Sequence, residues 1–177
     1  MKVNMQNFGF ILGVVYTLIL ICMSIIAINM TFKTIYFLKK TLSIKSVDLH
    51  KNNIAAGIYY AGVIFSMTLI IKNSVSSGMN FLQSQIYQDN IQINDLAYTL
   101  GLIFLQFVIS FIASIFSIII SGKIYDHLTG DVNEIEEIHK NNIAVGIIFS
   151  AVLISVSLFI APGIELIVES LVPFHAH

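Results

Sequence analysis

Long apolar runs alternate with short polar connections along this chain. The apolar runs cover residues 8–30, 53–71, 96–121 and 142–160. About 20 apolar residues are enough for an α-helix to cross the hydrocarbon layer of a membrane. We therefore predict an all-α integral membrane protein with four transmembrane helices, and residues 122–125 can extend the third of them.

The mixed segments beside these runs predict shorter amphipathic elements. Lysine and apolar residues interleave over 32–40, which indicates that the first helix continues out of the bilayer. Residues 73–95 are rich in Ser, Gly, Gln and Asn, with apolar residues at helical spacing, and predict a short helix on the outer membrane face. An acidic connection over 126–137 joins the third and fourth spans. Pro162-Gly163 should end the fourth span, and an amphipathic tail should follow it.

One polar stretch that opens an apolar run is written twice. Residues 48–58 read DLHKNNIAAGI and form the first motif, and residues 137–147 read EIHKNNIAVGI and form the second motif. Chance hydrophobic similarity would not reproduce His-Lys-Asn-Asn-Ile-Ala without a gap, so we interpret the chain as a duplicated two-helix unit. The predicted divisions are a first repeat, an extracytoplasmic connection, a second repeat and an amphipathic tail, over residues 1–76, 77–95, 96–163 and 164–177.

The duplication also predicts how the two motifs are placed. Two membrane crossings separate them, so both should lie on the same side and at the same depth, in a parallel repeat about an axis along the membrane normal. Lysines concentrate on the cytoplasmic side of membrane proteins. Seven lysines lie in or beside the first–second and third–fourth connections, and only Lys2 and Lys72 lie on the other side. We predict that the connections are cytoplasmic and that both termini are outside.

The composition agrees with this class of protein. Hydrophobic residues make up 56% of the chain and charged residues 11%, against about 25% charged residues in an average soluble protein. A net charge of −1 lacks the basic face that a nucleic-acid-binding protein needs. The expected surroundings are the lipid bilayer and a second copy of the chain or another membrane protein.

Each motif has the residues that a membrane helix needs at its start. Asparagine is a preferred N-cap, and a nearby carboxylate favours the positive end of the helix dipole. The motifs supply these groups, together with basic side chains at headgroup depth, through Asp48, His50, Lys51, Asn52 and Asn53 in the first and Glu137, His139, Lys140, Asn141 and Asn142 in the second.

Small residues follow each cap at helical spacing. Gly57 with Ala61, and Gly146 with Ser150, are pairs of the kind that let membrane helices approach closely. In the first interpretation the motifs are purely structural. In the second, the asparagines and histidines converge near the repeat axis and line an ion or solute path.

The sequence shows little that points to chemistry. A metal site at His50 and His139 lacks cysteine and carboxylate partners at ligand spacing. No phosphate-binding glycine loop, nucleophile elbow or zinc-protease helix is present. No ionisable residue lies at the middle of a predicted span, which argues against a proton-relay pump. We therefore predict no enzymatic activity, no cofactor and no metal.

The run Asn-Asn-Ile-Ala-Ala-Gly, opening a helix after an acidic residue in a repeated four-helix chain, resembles a known family. This is family 350 of the domain-of-unknown-function series, bacterial inner-membrane proteins whose two-helix unit often occurs in tandem. The resemblance covers nearly the whole chain and is strongest over 48–71 and 137–160. It implies a plasma-membrane location and an association of relatives with envelope-stress or peptide-modifying systems.

The chain departs from the family pattern at two places in each motif. The pattern has an acidic residue followed by Gly-Asn-x-Ala-x-Ala. Asn52 and Asn141 stand where the pattern has glycine, and Gly57 and Gly146 stand where it has the second alanine. Both changes keep the small or polar character of the position.

Two functions follow as hypotheses. The first is a non-enzymatic membrane protein with a structural or interaction role in the bacterial cell envelope. The second is a small channel or permease whose cytoplasmic mouth is formed by the two motifs.

Overall fold

The computed structural model describes residues 5–41, 52–86, 93–130 and 133–171, and almost all of these residues lie in helices. The helices are α1 (Met5–Thr41), α2 (Ile54–Ile86), α3 (Ile93–Thr129), α4 (Glu134–His139) and α5 (Ile143–Glu169). All except α4 are long and apolar enough to cross a membrane. The prediction of an all-α, multi-pass membrane protein with four spans is confirmed.

The α2 helix lies at the centre of the bundle. It packs against α5 along the longest interface and against α3 and α1 on its other sides, and α3 also packs against α5. Met67, Ile70 and Leu153 are among the fully buried side chains. Lipid tails are as apolar as these side chains, so close packing and interhelical hydrogen bonds must hold the helices together.

The predicted end of the second helix near Ile71 is wrong, because α2 continues without a break to Ile86. No separate short helix follows it within residues 72–86. Val75, Met79 and Leu82 extend the buried face of α2 at helical spacing, so the Ser- and Gly-rich segment is held as helix by packing. The extracytoplasmic position of residues 77–95 stays a prediction.

The predicted end of the fourth span at Pro162-Gly163 is also wrong. Pro162 lies inside α5, which continues to Glu169. A proline removes one backbone hydrogen bond, and packing of neighbouring helices makes such interruptions tolerable in membrane spans. Ala161 and Val168 are buried on either side of Pro162 and hold the helix against the bundle. The first part of the predicted tail therefore belongs to α5, and residues 172–177 lie outside the described residues.

The acidic connection contains a short helix that the sequence pattern did not predict. The α3 helix extends past the predicted residues 122–125 to Thr129, and Gly130 follows in the left-handed conformation with φ 67°. Asn133 caps α4, and its Oδ1 accepts from the Glu136 N–H at 3.1 Å. The buried Glu134 accepts a hydrogen bond from the Thr129 hydroxyl. These contacts fix α4 beside the start of α5.

Candidate functional site

The first asparagine of each pair has the same unusual backbone conformation. Asn52 has φ 53° and Asn141 has φ 62°, which are the positive-φ residues other than glycine in the described part of the chain. Asparagine enters this left-handed region more readily than other side chains, and glycine enters it most readily. Asn52 and Asn141 therefore hold a backbone conformation that asparagine and glycine adopt more readily than other residues.

The second asparagine of each pair caps the helix that follows, as predicted. The Oδ1 atom of Asn53 accepts from the Ala56 N–H at 2.8 Å, and that of Asn142 accepts from the Val145 N–H at 3.4 Å. Each bond satisfies one of the N–H groups that have no partner inside the first turn of a helix. The two motifs therefore start the helix that follows them in the same way.

The caps also connect the two motifs to each other. The Asn53 Nδ2 group donates to the Ile138 carbonyl at 2.7 Å and to the His139 carbonyl at 3.3 Å. In the other direction, the Ala55 N–H donates to Asn141 Oδ1 at 3.0 Å. The Ile138 and His139 carbonyls at the end of α4 thus accept from a donor beside the start of α2, an arrangement that the two helix dipoles favour. The prediction that the two motifs meet is confirmed for these residues.

Charged groups of the second motif lie at the exposed edge of this contact. Glu137 accepts from Asn142 Nδ2 at 2.9 Å and from Lys140 Nζ at 3.0 Å. The hydrogen bond from Asn142, then the bond and positive charge of Lys140, hold the pKa of Glu137 below its usual value. Bonding to Glu137 and the charges of Glu136 and Glu137 raise the pKa of Lys140. The pair supports the Asn142 side chain from the solvent side.

Small residues let α2 and α5 cross just beyond the caps. A Cβ atom on Gly146 would lie 2.8 Å from the Ala55 carbonyl oxygen, so only glycine permits this approach. The Ser150 hydroxyl donates to the Ile58 carbonyl at 2.9 Å, and Gly62 packs directly on Ser150. The predicted role of Gly146 and Ser150 at a helix crossing is confirmed.

The predicted role of Gly57 and Ala61 in this crossing is wrong. Both residues are exposed, and a Cβ atom on Gly57 would meet nothing within 4 Å. The α2 helix instead presents the face that contains Ala55, Ile58 and Gly62 to α5. Equivalent positions of the two motifs therefore do not face each other, and the α2–α5 contact is asymmetric.

Sequence reasoning missed a cluster of hydroxyl groups deep in the bundle. Ser66 of α2, Ser117 of α3 and Ser157 of α5 are 0–1% exposed and meet there. The Ser157 hydroxyl bonds with that of Ser117 at 3.1 Å and with that of Ser66, which also donates to the Leu153 carbonyl at 3.2 Å. The signal was the helical spacing of buried polar residues on α3, namely Gln106, Ser110, Ser114, Ser117 and Ser121.

Gln106, at the other end of that α3 face, is fully buried. Its Nε2 group donates to the Val168 carbonyl at 3.4 Å, but its Oε1 atom has no hydrogen-bond partner among the described residues. Gly78 lies so close that an added Cβ would be 2.2 Å from this oxygen. The Cα of Gly78 therefore faces the oxygen, and a weak C–H···O contact is the interaction that this geometry allows.

The structure places the remaining candidate residues as follows. Asp48, His50 and Lys51 lie outside the described residues, so their predicted positions are not tested. His139 is half-buried at the end of α4. Among the described residues, no group of three His, Cys, Asp or Glu side chains could hold a metal ion. The side chains of Asn53, Asn141 and Asn142 bond to backbone groups and to Glu137, so their hydrogen bonds hold the structure together.

Comparison with known proteins gives a family match for the second half of the chain. Residues 95–173 match the model of the family described as Domain of Unknown Function (DUF350). This part contains α3, α4, α5 and the second motif. No curated protein and no solved structure matches the chain.

Proposed function

We propose, for a chain whose residues 95–173 match the model of the DUF350 family, a non-enzymatic structural or interaction role in the membrane of the bacterial cell envelope. The observation that carries this proposal is the use of the motif asparagines. Asn53 bonds to the carbonyls of Ile138 and His139, and Asn141 bonds to the Ala55 N–H. These side chains join helix ends, so they are not available to line an open mouth.

The described interior supports the same role. The side chains of Ser66, Ser117 and Ser157 are almost completely buried, and they bond to one another and to backbone. In membrane proteins such hydroxyls commonly link helices. A permeation path would need space for a hydrated solute between α2, α3 and α5, where these side chains are packed.

Two unused small-residue faces support self-association as the form of the interaction. Within the chain, Ala55, Gly62 and Ser66 of α2 pack towards α5. Their counterparts in the second half are Ala144, Ala151 and Ser155, which are all exposed on α5. Likewise Gly57 and Ala61 are the exposed counterparts of the packed Gly146 and Ser150.

The unused faces therefore repeat the residues of a contact that the chain already makes. A second copy could place its Gly57–Ala61 face on the Ala144–Ser155 face, in a head-to-tail interface of the kind that forms rings. The partner we propose is a second copy of this chain.

Cysteine cross-linking in membranes tests self-association. The native Cys22 is exposed and is first replaced by serine. Ala61→Cys combined with Ala151→Cys should then give an intermolecular disulfide. Ala61→Cys combined with Phe159→Cys, on a different and 87% exposed position of α5, is the matched control and should not cross-link. Equal cross-linking of both pairs would contradict the proposed faces.

Liposome flux separates this role from the channel alternative, in which the two motifs form the cytoplasmic mouth. For a structural protein, wild-type liposomes should leak K⁺ and small solutes no faster than empty liposomes. The variant Asn53→Leu with Asn142→Leu should lose thermal stability. A wild-type flux that disappears in a variant that keeps its fold would establish the channel instead.

A further inference from the structure

A groove with a volume of about 360 Å³ lies between α1 and α2, away from both motifs and from the buried hydroxyl cluster. Its walls are almost entirely apolar, with Leu20, Met23 and Ala27 on α1 and Ile71 and Val75 on α2. Several of the lining residues, including Ile21 and Ile28, are exposed on the outside of the bundle. The groove is thus open towards the lipid.

The hydroxyl groups along the groove need no ligand. Thr17 donates to the Gly13 carbonyl, Ser24 to the Ile21 carbonyl and Thr68 to the Ile64 carbonyl, each at 2.8 Å. Each hydroxyl bonds to a carbonyl of its own helix and presents little polar surface to the groove. The walls therefore favour a hydrocarbon occupant.

The length of the groove matches one leaflet of a bilayer. It follows α1 from Thr17 to Ile28, which is about 16 Å at 1.5 Å per residue. Half of the hydrocarbon thickness is about 15 Å. A single extended acyl chain therefore matches the length of the groove, and its apolar surface matches the walls.

Lys72 is the charged residue of the groove lining, and it is exposed. It forms no ion pair with any of the residues that the structure describes. The ion pairs among those residues are the ones that Lys140 forms with Glu136 and Glu137. From Ile54 to Lys72 the helix rises about 27 Å, close to the hydrocarbon thickness of about 30 Å. The ammonium group can therefore reach the headgroup region on the side opposite the motifs by extending along the groove wall.

We propose that this groove is a binding site for an anionic phospholipid. One acyl chain lies in the groove between α1 and α2, and the phosphate of the headgroup contacts the ammonium group of Lys72. The apolar walls select hydrocarbon, and the unpaired cation beside them selects the charge of the headgroup. A neutral lipid of the same chain length would fill the groove without the ion pair.

Native mass spectrometry of the purified full chain in detergent tests this site. The probes are phosphatidylglycerol and phosphatidylcholine with identical acyl chains, added at equal concentration. One charge contact near a membrane surface contributes about 1 kcal/mol, so the wild type should retain phosphatidylglycerol roughly five-fold more than phosphatidylcholine. Lys72→Gln should retain both lipids equally.

Two further variants keep the test decisive. Lys123→Gln removes an exposed lysine of α3 outside the groove, and it should keep the five-fold preference. Ser24→Phe fills the groove from its exposed edge and should lower retention of both lipids. The proposal is overturned if Lys72→Gln keeps the preference, if Lys123→Gln loses it equally, or if Ser24→Phe binds lipid as the wild type does.

Discussion

The side-chain amide of Asn53 donates to the backbone carbonyl of Ile138 at 2.7 Å, although the two residues belong to different halves of the chain. The same side chain caps α2 through its oxygen. One amide group therefore both starts a helix and fastens it to the end of α4. A side chain with only an oxygen could perform the first role but not the second.

Asn53→Asp should separate these two roles. The carboxylate keeps the cap on Ala56, but it loses the donor and places a negative charge beside two carbonyl oxygens. We expect a loss of about 1–3 kcal/mol in the free energy of unfolding. Asn133→Asp is the matched control, because Asn133 caps the exposed start of α4 only through its oxygen. Thermal unfolding in detergent measures both, and equal midpoints for Asn53→Asp and wild type would contradict the proposed fastening.

The left-handed asparagines should respond differently to glycine. Asn141→Gly keeps the backbone conformation but loses the acceptor for the Ala55 N–H, and should cost about 1 kcal/mol. Asn141→Ala should cost about 1–2 kcal/mol more, because alanine is strained at positive φ. Asn52→Gly, at an exposed position with the same conformation, should be close to neutral. Equilibrium unfolding measures these free energies. A more stable Asn141→Ala variant than Asn141→Gly variant would refute this account.

Two glycines at equivalent positions of the motifs should have opposite sensitivities. Gly146→Ala places a methyl group 2.8 Å from the Ala55 carbonyl oxygen and must push α2 and α5 apart. We expect a loss of about 1–3 kcal/mol, as for overpacked cores. In the monomer in detergent, Gly57→Ala meets nothing within 4 Å and should be neutral or stabilising by about 0.5–1 kcal/mol. Thermal midpoints of the two variants measure the contrast. Equal losses would mean that Gly57 and Gly146 both lie at the helix crossing.

The contrast between these glycines shows which features of the fold could be predicted from the sequence and which could not. Apolar runs fixed the number of spans, and the asparagine pairs predicted the caps, because both are local properties of the chain. The face that α2 presents to α5 depends on the rotation of one helix against another. Gly57-Ala61 and Ala55-Gly62 are equally good small-residue pairs, so their spacing alone could not decide between them.

The helix ends beyond residues 71 and 160 could not be predicted for a similar reason. Lys72 and Pro162 look like terminators in a local pattern. They were overridden by side chains packed further along the same helices, such as Met79 and Val168. The polar buried face of α3 was visible as a spacing of serines, but which helices would meet it was a tertiary property.

Ser157→Ala should reveal the contribution of the buried hydroxyl cluster. Ser157 bonds to both Ser66 and Ser117, so its loss leaves their hydroxyls with fewer partners. Interhelical hydrogen bonds in membranes contribute about 0.6–2 kcal/mol, and we expect a loss in that range. Ser84→Ala removes an exposed hydroxyl of α2 that donates to a carbonyl of its own helix, and this control should unfold like the wild type. Equal midpoints for Ser157→Ala and wild type would contradict the contribution of the cluster.

Acid should weaken the second motif through Glu137. The bond from Asn142 and the ion pair with Lys140 lower the pKa of this carboxyl from its ordinary 4.5. A group whose pKa is depressed on folding contributes stability that is complete above its unfolded pKa and is lost as pH falls through the folded value. The stability difference between wild type and Glu137→Gln should therefore be constant from about pH 5 to 8 and should shrink at more acidic pH.

The donor that lowers this pKa can be removed by itself. Asn142→Ser retains an oxygen that can cap α5, but it lacks the amide that donates to Glu137 at 2.9 Å. In this background the pKa of Glu137 should return towards its ordinary value, so acid should remove less stability, and the loss should be complete at a higher pH. Thermal midpoints measured against pH for the two backgrounds give the comparison. Identical acid profiles with and without the amide would show that Asn142 does not stabilise the ionised carboxylate.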